Sequence, residues 1–365
     1  MLAQHRLGAI VDEVFSTHGA QALEYGPPEG LASIREWVAA RLSERGVRAR
    51  AEQVVIVSGS QQGLDLICRL LLGEGDMVLV EEPGYSSGFR LFQANGARVA
   101  GVPLDEQGIR LDLLNEASAR SSSRLLYLMP NFQNPTGLSL ASERIEPLLE
   151  ICARRRLPVV EDQFDSDLFY HGGPPQPLKA RDQDELVVLL GSFSKILFPG
   201  LRLGWMVVPR PLMAPMRALK QMADFSSSLL AQYAMDLYCR RGMLDRHLER
   251  VRAIYGNRLR VMLAALEDEF PSGARWTRPN GGLTMWVNLP RGVQALELLT
   301  EARREGVDFS PGLLFYPNGG GAESLRLSHI RETEERIRRG IRILGDLLKR
   351  SHAEGSAAPA AAPFI

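Results

Sequence analysis

Residues 191–205, "GSFSKILFPGLRLGW", place Lys195 between two serines and an arginine in an otherwise apolar run. A lysine in such a setting is costly to bury as a cation. Either the ammonium reaches water, or the site uses a neutral amine or an imine. Ser192, Ser194 and Arg202 offer what an anion needs, two hydroxyls and a guanidinium. A second anion signal is "SGSQQG" (58–63), where small residues lead into a helical pattern. Free N–H groups at a helix start, together with Ser60 and Gln61, suit a phosphate. In "NFQNPTG" (131–137), Asn-Pro makes a tight turn that can aim the Asn134 amide into a crevice. In "VVED" (159–162), Asp162 ends a buried strand, an expensive place for an acid unless it meets a cation or several donors. Each feature alone has a plain alternative: a snorkelling lysine, a helix cap, a turn, a salt bridge.

Together they describe a pocket for one ligand. It takes a phosphate, held by Ser60, Gln61, Ser192, Ser194 and Arg202. It takes a basic ring nitrogen that Asp162 keeps protonated, and a carbonyl with which Lys195 condenses. Pyridoxal 5′-phosphate carries all three groups.

Strand-like runs alternating with helical ones must position these residues. "QVVIVSG", "DMVLVEEPGY", "ARVAGVPL", "RLLYLMP", "LPVVEDQ", "ELVVLLGS" and "LGWMVVP" are short and β-branched, with helical patterns between most of them. That order predicts an α/β fold with a mostly parallel sheet buried on both faces, its ligand beyond the carboxyl ends of the strands. One long helical stretch is expected over about 212–267. A smaller α+β unit follows, closing with a helix over about 332–350. The expected organisation is an N-terminal helix or arm (1–24), a large cofactor-binding domain (25–267), a small C-terminal domain (268–350) and a disordered Ala/Pro-rich tail (351–365).

The chain has 365 residues, 43 basic and 43 acidic side chains, and a formal net charge of +0. That balance gives no electrostatic case for nucleic acid or an anionic membrane. Cys68, Cys152 and Cys239 lie far apart in apolar runs and read as small buried hydrophobes in a reducing compartment, not as metal ligands. No apolar run approaches the ~18 residues of a membrane span, and the start lacks a signal-peptide pattern, so a cytoplasmic location is expected.

In order along the chain, "YGPPEG", "SGSQQGLDL", "EEPGYS", "NPTG", "VVED", "SFSK…PGLRLG" and "LRLS" resemble the fold-type I, pyridoxal-phosphate-dependent aminotransferases of class I/II. Within them the chain looks most like the branch holding the 2-aminoadipate and kynurenine aminotransferases and the aminotransferase-like domains of MocR/GntR regulators. The resemblance runs from about Tyr25 to about residue 350. It implies that Lys195 condenses with the cofactor and then carries the Cα proton. Asp162 pairs with the ring nitrogen, Asn134 bonds the ring's 3-oxygen and Tyr85 stacks on the ring. Arg326 clamps the substrate carboxylate, and Tyr25 reaches the phosphate of a neighbouring subunit, which requires a homodimer. Alone, Tyr85 reads as a core aromatic and Arg326 as a surface charge. That branch usually carries a tyrosine two or three residues after the aspartate; Phe164 and Asp165 stand there. The expected activity moves an amino group from an L-amino acid to a 2-oxo acid such as 2-oxoglutarate. The alternatives are an effector-sensing domain of the MocR kind and a lyase or decarboxylase on the same fold.

Overall fold

In the computed structural model, which describes residues 2–120 and 123–357, each of the seven β-branched runs contains a strand. The strands are β1 (Val54–Val57), β2 (Met77–Glu82), β3 (Arg98–Asp105), β4 (Gly108–Ile109), β5 (Ser123–Leu128), β6 (Val159–Gln163), β7 (Val187–Ser192) and β8 (Gly204–Val207). They form one sheet in the order β1-β8-β7-β6-β5-β2-β3-β4. The central pairs β3–β2, β2–β5, β5–β6 and β6–β7 are parallel. "VVIV" in β1 and "VVLL" in β7 are continuous apolar runs because both faces of the sheet are covered.

Three pairs, β1–β8, β7–β8 and β3–β4, are antiparallel, so the expected mostly parallel sheet is mixed at its edges. The link from β7 to β8 is too short for a helical crossover, and β8 therefore returns alongside β7 in the opposite sense. This link is the segment that carries Lys195.

The long helical stretch is three helices, Met213–Asp224, Leu229–Arg240 and Met243–Glu269. The first break falls at Phe225, which has φ 58°, and Ser228 caps the next helix by accepting from Ala231 N–H. The second falls at Gly242, with φ 62°. An apolar 3.6-residue period runs through both breaks, and periodicity does not register the turn of the backbone.

A second sheet holds β9 (Arg275–Trp276), β10 (Thr284–Asn288), β11 (Ser310–Pro311) and β12 (Ser324–Ser328) in the order β11-β12-β10-β9, all antiparallel. Met285, Val287 and Leu325 of this sheet pack with Leu259 and Leu266 of the long helix and with Leu344 of the closing helix. The closing helix is Glu334–Ala357, extending past residue 350 where the sequence pattern ends it. Of the disordered tail expected over 351–365, residues 351–357 instead continue this helix, and 358–365 lie outside the described residues. Near the amino end, helix Leu2–His18 buries Ile10 and Val14 with Tyr238 and Leu244. All three cysteines are buried and unpaired, and burial pushes the Cys68 and Cys152 thiols up to about 12. Among the described residues no helix is long and apolar enough to cross a membrane.

Candidate active site

The register of β1, β8 and β7 gathers the residues expected to meet an anion. Val57 stands opposite Gly204, and Gly204 opposite Ser192. The loop after β1, the loop after β7 and the residue two before β8 therefore meet at one end of the sheet. Ser60 and Gln61 begin the helix Ser60–Leu71, so their N–H groups belong to its open first turn. Arg202 adopts φ 50° and donates from Nη2 to the Ser58 carbonyl at 3.2 Å. Gly59 has φ 90°, and a Cβ there would lie 2.8 Å from Arg202 Nη2. Only glycine keeps this backbone surface open beneath the guanidinium. Ser192 Oγ accepts from the Ser194 N–H at 3.1 Å, and Ser194 Oγ is buried with no protein partner.

The parallel strands deliver the rest at their carboxyl ends. Asp162, at the end of β6, is 4% exposed. Its Oδ2 accepts from the Tyr127 hydroxyl at 3.0 Å, while Oδ1 is buried without a partner. Burial pushes the Asp162 carboxyl up to about 6, against the Tyr127 O–H and the Phe164 N–H, which pull it down. Asp165 is also buried. Burial, and then the charge of Asp162, hold its carboxyl well above the usual carboxylate range; Lys195 pulls the other way. Phe164 packs against the apolar core instead, lining a small cavity with Trp37, Phe193 and Trp205.

Beyond β5, the turn carrying Asn134 is suspended from β2. Glu81 Oε2 accepts from Met129 N–H at 2.8 Å, and Gln133 Nε2 donates to the Pro83 carbonyl at 2.8 Å. Gln133 Oε1 in turn accepts from Thr136 N–H at 2.9 Å, closing the turn. Asn134 Oδ1 accepts from Arg326 Nη1 at 3.0 Å, and Arg326 Nη2 donates to Ser310 Oγ at 3.0 Å. Arg326 sits in β12 between Trp286 and Ser310, its guanidinium 4.9 Å from the centre of the Phe315 ring. It is partly buried and has no carboxylate partner among the described residues. Burial lowers its pKa and the Tyr85 phenol raises it. Tyr85, after β2, lies within electrostatic reach of both Asp162 and Arg326; burial raises its pKa most.

One expectation changes, and one residue expected to serve a neighbouring subunit lies apart. Lys195 is exposed, so the burial argument that singled it out does not describe it, and the chain fully buries Lys220 instead. Lys195 still meets the site through its effect on Asp165. Tyr25 does not join the cluster in its own chain: it is 79% exposed, its ring 5.7 Å from that of Phe225. Sequence reasoning missed Tyr127, which reads as one more core aromatic in "RLLYLMP". It also missed Gln62, masked by its neighbour Gln61, and Ser310, in a two-residue strand without a pattern. Glu81 had the same signal as Asp162, an acid at the end of a buried strand, and could have been found by it.

These groups fit pyridoxal 5′-phosphate. The partnerless Ser194 Oγ and the open backbone at Gly59 suit the phosphate, and the partnerless Asp162 Oδ1 suits a protonated ring nitrogen.

Comparison with known proteins leads to the same chemistry. The family model for aminotransferase class I and II matches residues 5–344. The 2-aminoadipate transaminase of Thermus thermophilus is 40% identical over 91% of this chain and 83% of its own length. Aromatic-amino-acid aminotransferase 1 of Thermococcus litoralis is 34% identical over 94% of this chain and 84% of its own. Among solved structures, Pyrococcus horikoshii kynurenine aminotransferase in complex with PMP, KYN and KYA superposes with a TM-score of 0.91 at 34% identity. That match covers 95% of this chain and 87% of the other.

Proposed function

Since the chain belongs to the class I and II aminotransferases, we propose how its residues divide the work of moving an amino group between an amino acid and a 2-oxo acid. The enzyme is a pyridoxal-phosphate-dependent transaminase. When bound, the cofactor supplies a carbonyl that takes up the amino group and a ring that withdraws electrons from the substrate's Cα. One observation carries the division of roles: two buried or half-buried charged side chains, Asp162 and Arg326, both act on Tyr85, and neither has a partner of opposite charge among the described residues. Asp162 Oδ1 holds a protonated ring nitrogen. Arg326, already oriented by Asn134 and Ser310, takes the substrate carboxylate through both Nη atoms.

With the cofactor bound, Lys195 would be the amine that holds its carbonyl carbon and the side chain that moves the proton at the substrate's Cα, as general base and acid. Ser60, Gln61, Ser192, Ser194 and Arg202 hold the phosphate, and the first-turn N–H groups of Ser60–Leu71 add the helix dipole. Asn134 donates through Nδ2 to the ring's 3-oxygen, since its Oδ1 is engaged by Arg326. Tyr85 stacks on the ring. The side-chain preference among amino donors is read by assay: a panel of L-amino acids against 2-oxoglutarate. An amino acid alone is expected to change the visible absorption of the purified enzyme, and 2-oxoglutarate to restore it. Release of carbon dioxide or ammonia without recovery would favour the lyase reading.

Replacing Arg326 with alanine is expected to raise KM for amino and 2-oxo acids roughly 30-fold or more, since removing one partner of a desolvated charge pair costs about 2–5 kcal/mol. Arg326→Lys restores only part, because a point charge does not reproduce the two-pronged geometry. Steady-state kinetics with both substrates check this, and an unchanged KM would assign the clamp to another cation.

Leu23, Tyr25, Met222 and Phe225 are large apolar side chains 63–79% exposed around the amino-terminal segment. Such exposure supports a homodimer in which Tyr25 reaches the partner's cofactor phosphate. Sedimentation is expected to give twice the 40.4 kDa chain mass. Tyr25→Phe should weaken cofactor retention and leave that mass unchanged. Three unpaired buried thiols accord with a cytoplasmic location.

A further inference from the structure

Gln62, Asp224 and Lys220 form a hydrogen-bonded chain behind the loop Ser58–Ser60, and we propose that this chain positions the loop and sets how tightly the enzyme holds the phosphate end of its cofactor. The inference rests on the reading of that loop as the phosphate cradle.

Gln62 Oε1 accepts from the Ser58 N–H at 2.7 Å, and its Nε2 donates to Asp224 Oδ2 at 2.8 Å. Asp224 Oδ1 accepts from Lys220 Nζ at 2.5 Å. Arg202 holds the Ser58 carbonyl. The Ser58 residue is therefore gripped at its N–H from one side and at its C=O from the other. The residue that follows is Gly59 at φ 90°, the position with the least conformational restraint of its own, so fixing Ser58 fixes where the loop begins.

The order of atoms matters. An amide side chain can present either oxygen or nitrogen, and only the oxygen can accept from Ser58. Asp224 accepts only, so it forces the Gln62 nitrogen outward and the oxygen toward the loop. Asp224 is the last residue of the helix Met213–Asp224, where the helix dipole disfavours a carboxylate. Lys220, one turn earlier and fully buried, compensates that charge. It also prevents a lone carboxylate from repelling an anion bound at the loop. Burial lowers the Lys220 pKa while Asp224 raises it. The same turn reaches the amino-terminal segment, since Ser226 Oγ accepts from Gly26 N–H at 3.1 Å.

A merely structural staple would affect any ligand of the pocket, whereas a phosphate-positioning chain affects only ligands that carry the phosphate. The full-length enzyme is loaded with pyridoxal 5′-phosphate or with pyridoxal, and release on dilution is followed by visible absorbance. Gln62→Met keeps the Asp224–Lys220 pair and removes the grip on Ser58. It is expected to speed release of pyridoxal 5′-phosphate roughly 10-fold, the loss of one well-placed hydrogen bond, and to leave pyridoxal release unchanged. Asp224→Asn should act in the same direction, with thermal melting reporting any general loss of stability. Equal acceleration for both ligands, or none for the phosphorylated one, would overturn the proposal. Arg202→Ala separates the two layers. If it lowers the preference for the phosphorylated ligand while Gln62→Met does not, the positioning chain fails and the cradle stands. If Arg202→Ala also leaves that preference unchanged, the cradle reading itself fails.

Discussion

Lys195→Ala is expected to lower transamination by at least about 10³-fold, because on the proposed reading one side chain supplies both the nucleophile and the proton carrier. The variant should still bind the cofactor, since Ser60 at the helix start, Ser192 at the end of β7, Ser194 and Arg202 keep their own side chains. Borohydride treatment followed by peptide mass mapping should find the cofactor on the peptide containing Lys195 in the natural enzyme and on none in the variant. Added alkylamines should recover part of the rate by replacing the missing base. Turnover undiminished in Lys195→Ala would remove the assignment of every role around it. The exposure of this lysine favours the experiment, since its truncation leaves no cavity in a packed core.

Asp162→Asn carries the second large effect. On the proposed reading this carboxylate keeps the ring nitrogen protonated, and losing a charge aimed at the reacting system should lower turnover roughly 10²–10³-fold. A second signature is independent of activity. In the cofactor-free enzyme the Asp162 carboxyl is pushed up to about 6, above its ordinary value of 3.8. The folded state therefore binds this proton more tightly than the unfolded chain. The stability it contributes is complete below the unfolded value and is lost as pH rises through the folded one. The difference between natural enzyme and Asp162→Asn should fall between about pH 4 and pH 6 by about 3 kcal/mol and then level off. Thermal melts of both proteins across that range measure it. A flat difference would mean that Asp162 is ionised throughout and that its partnerless oxygen has another explanation.

The residues that sequence reasoning found have one property in common: each adjoins the end of a β-branched run. Asp162 and Ser192 lie at the carboxyl ends of strands, and Asn134, Ser194 and Lys195 on the segments that follow, where a sheet of this kind presents its loops. Their convergence was legible because strand order and strand ends follow from pattern. What remained hidden depends on contacts between distant segments. Nothing local links Gln62 to Asp224, and nothing in "RLLYLMP" marks Tyr127 as the donor to Asp162 instead of a core ring. The breaks at Phe225 and Gly242 escaped because the apolar period continues through them. Exposure was misjudged at Lys195 for a related reason. Apolar neighbours in sequence do not bury a residue on a turn between two strands, since their side chains leave the turn in different directions. Arg326 and Tyr85 needed the family pattern, because a half-buried arginine is not distinguishable from a surface one by its neighbours.

Several hydrogen bonds join the eight-stranded sheet and its loops to the four-stranded unit, among them Thr277 Oγ1 to the Thr136 carbonyl and Asn318 Nδ2 to the Val99 carbonyl. Two more face the site: the first is Arg326 to Asn134, and the second runs from the Gly84 N–H to the Phe315 carbonyl at 2.8 Å. The second involves only backbone, and Phe315 is the ring beneath the Arg326 guanidinium. Protection of the Gly84 amide from solvent exchange thus depends on the smaller sheet remaining seated against the larger. Deuterium uptake at this single amide is a gauge of how often the crevice opens, readable without substrate, cofactor signal or turnover.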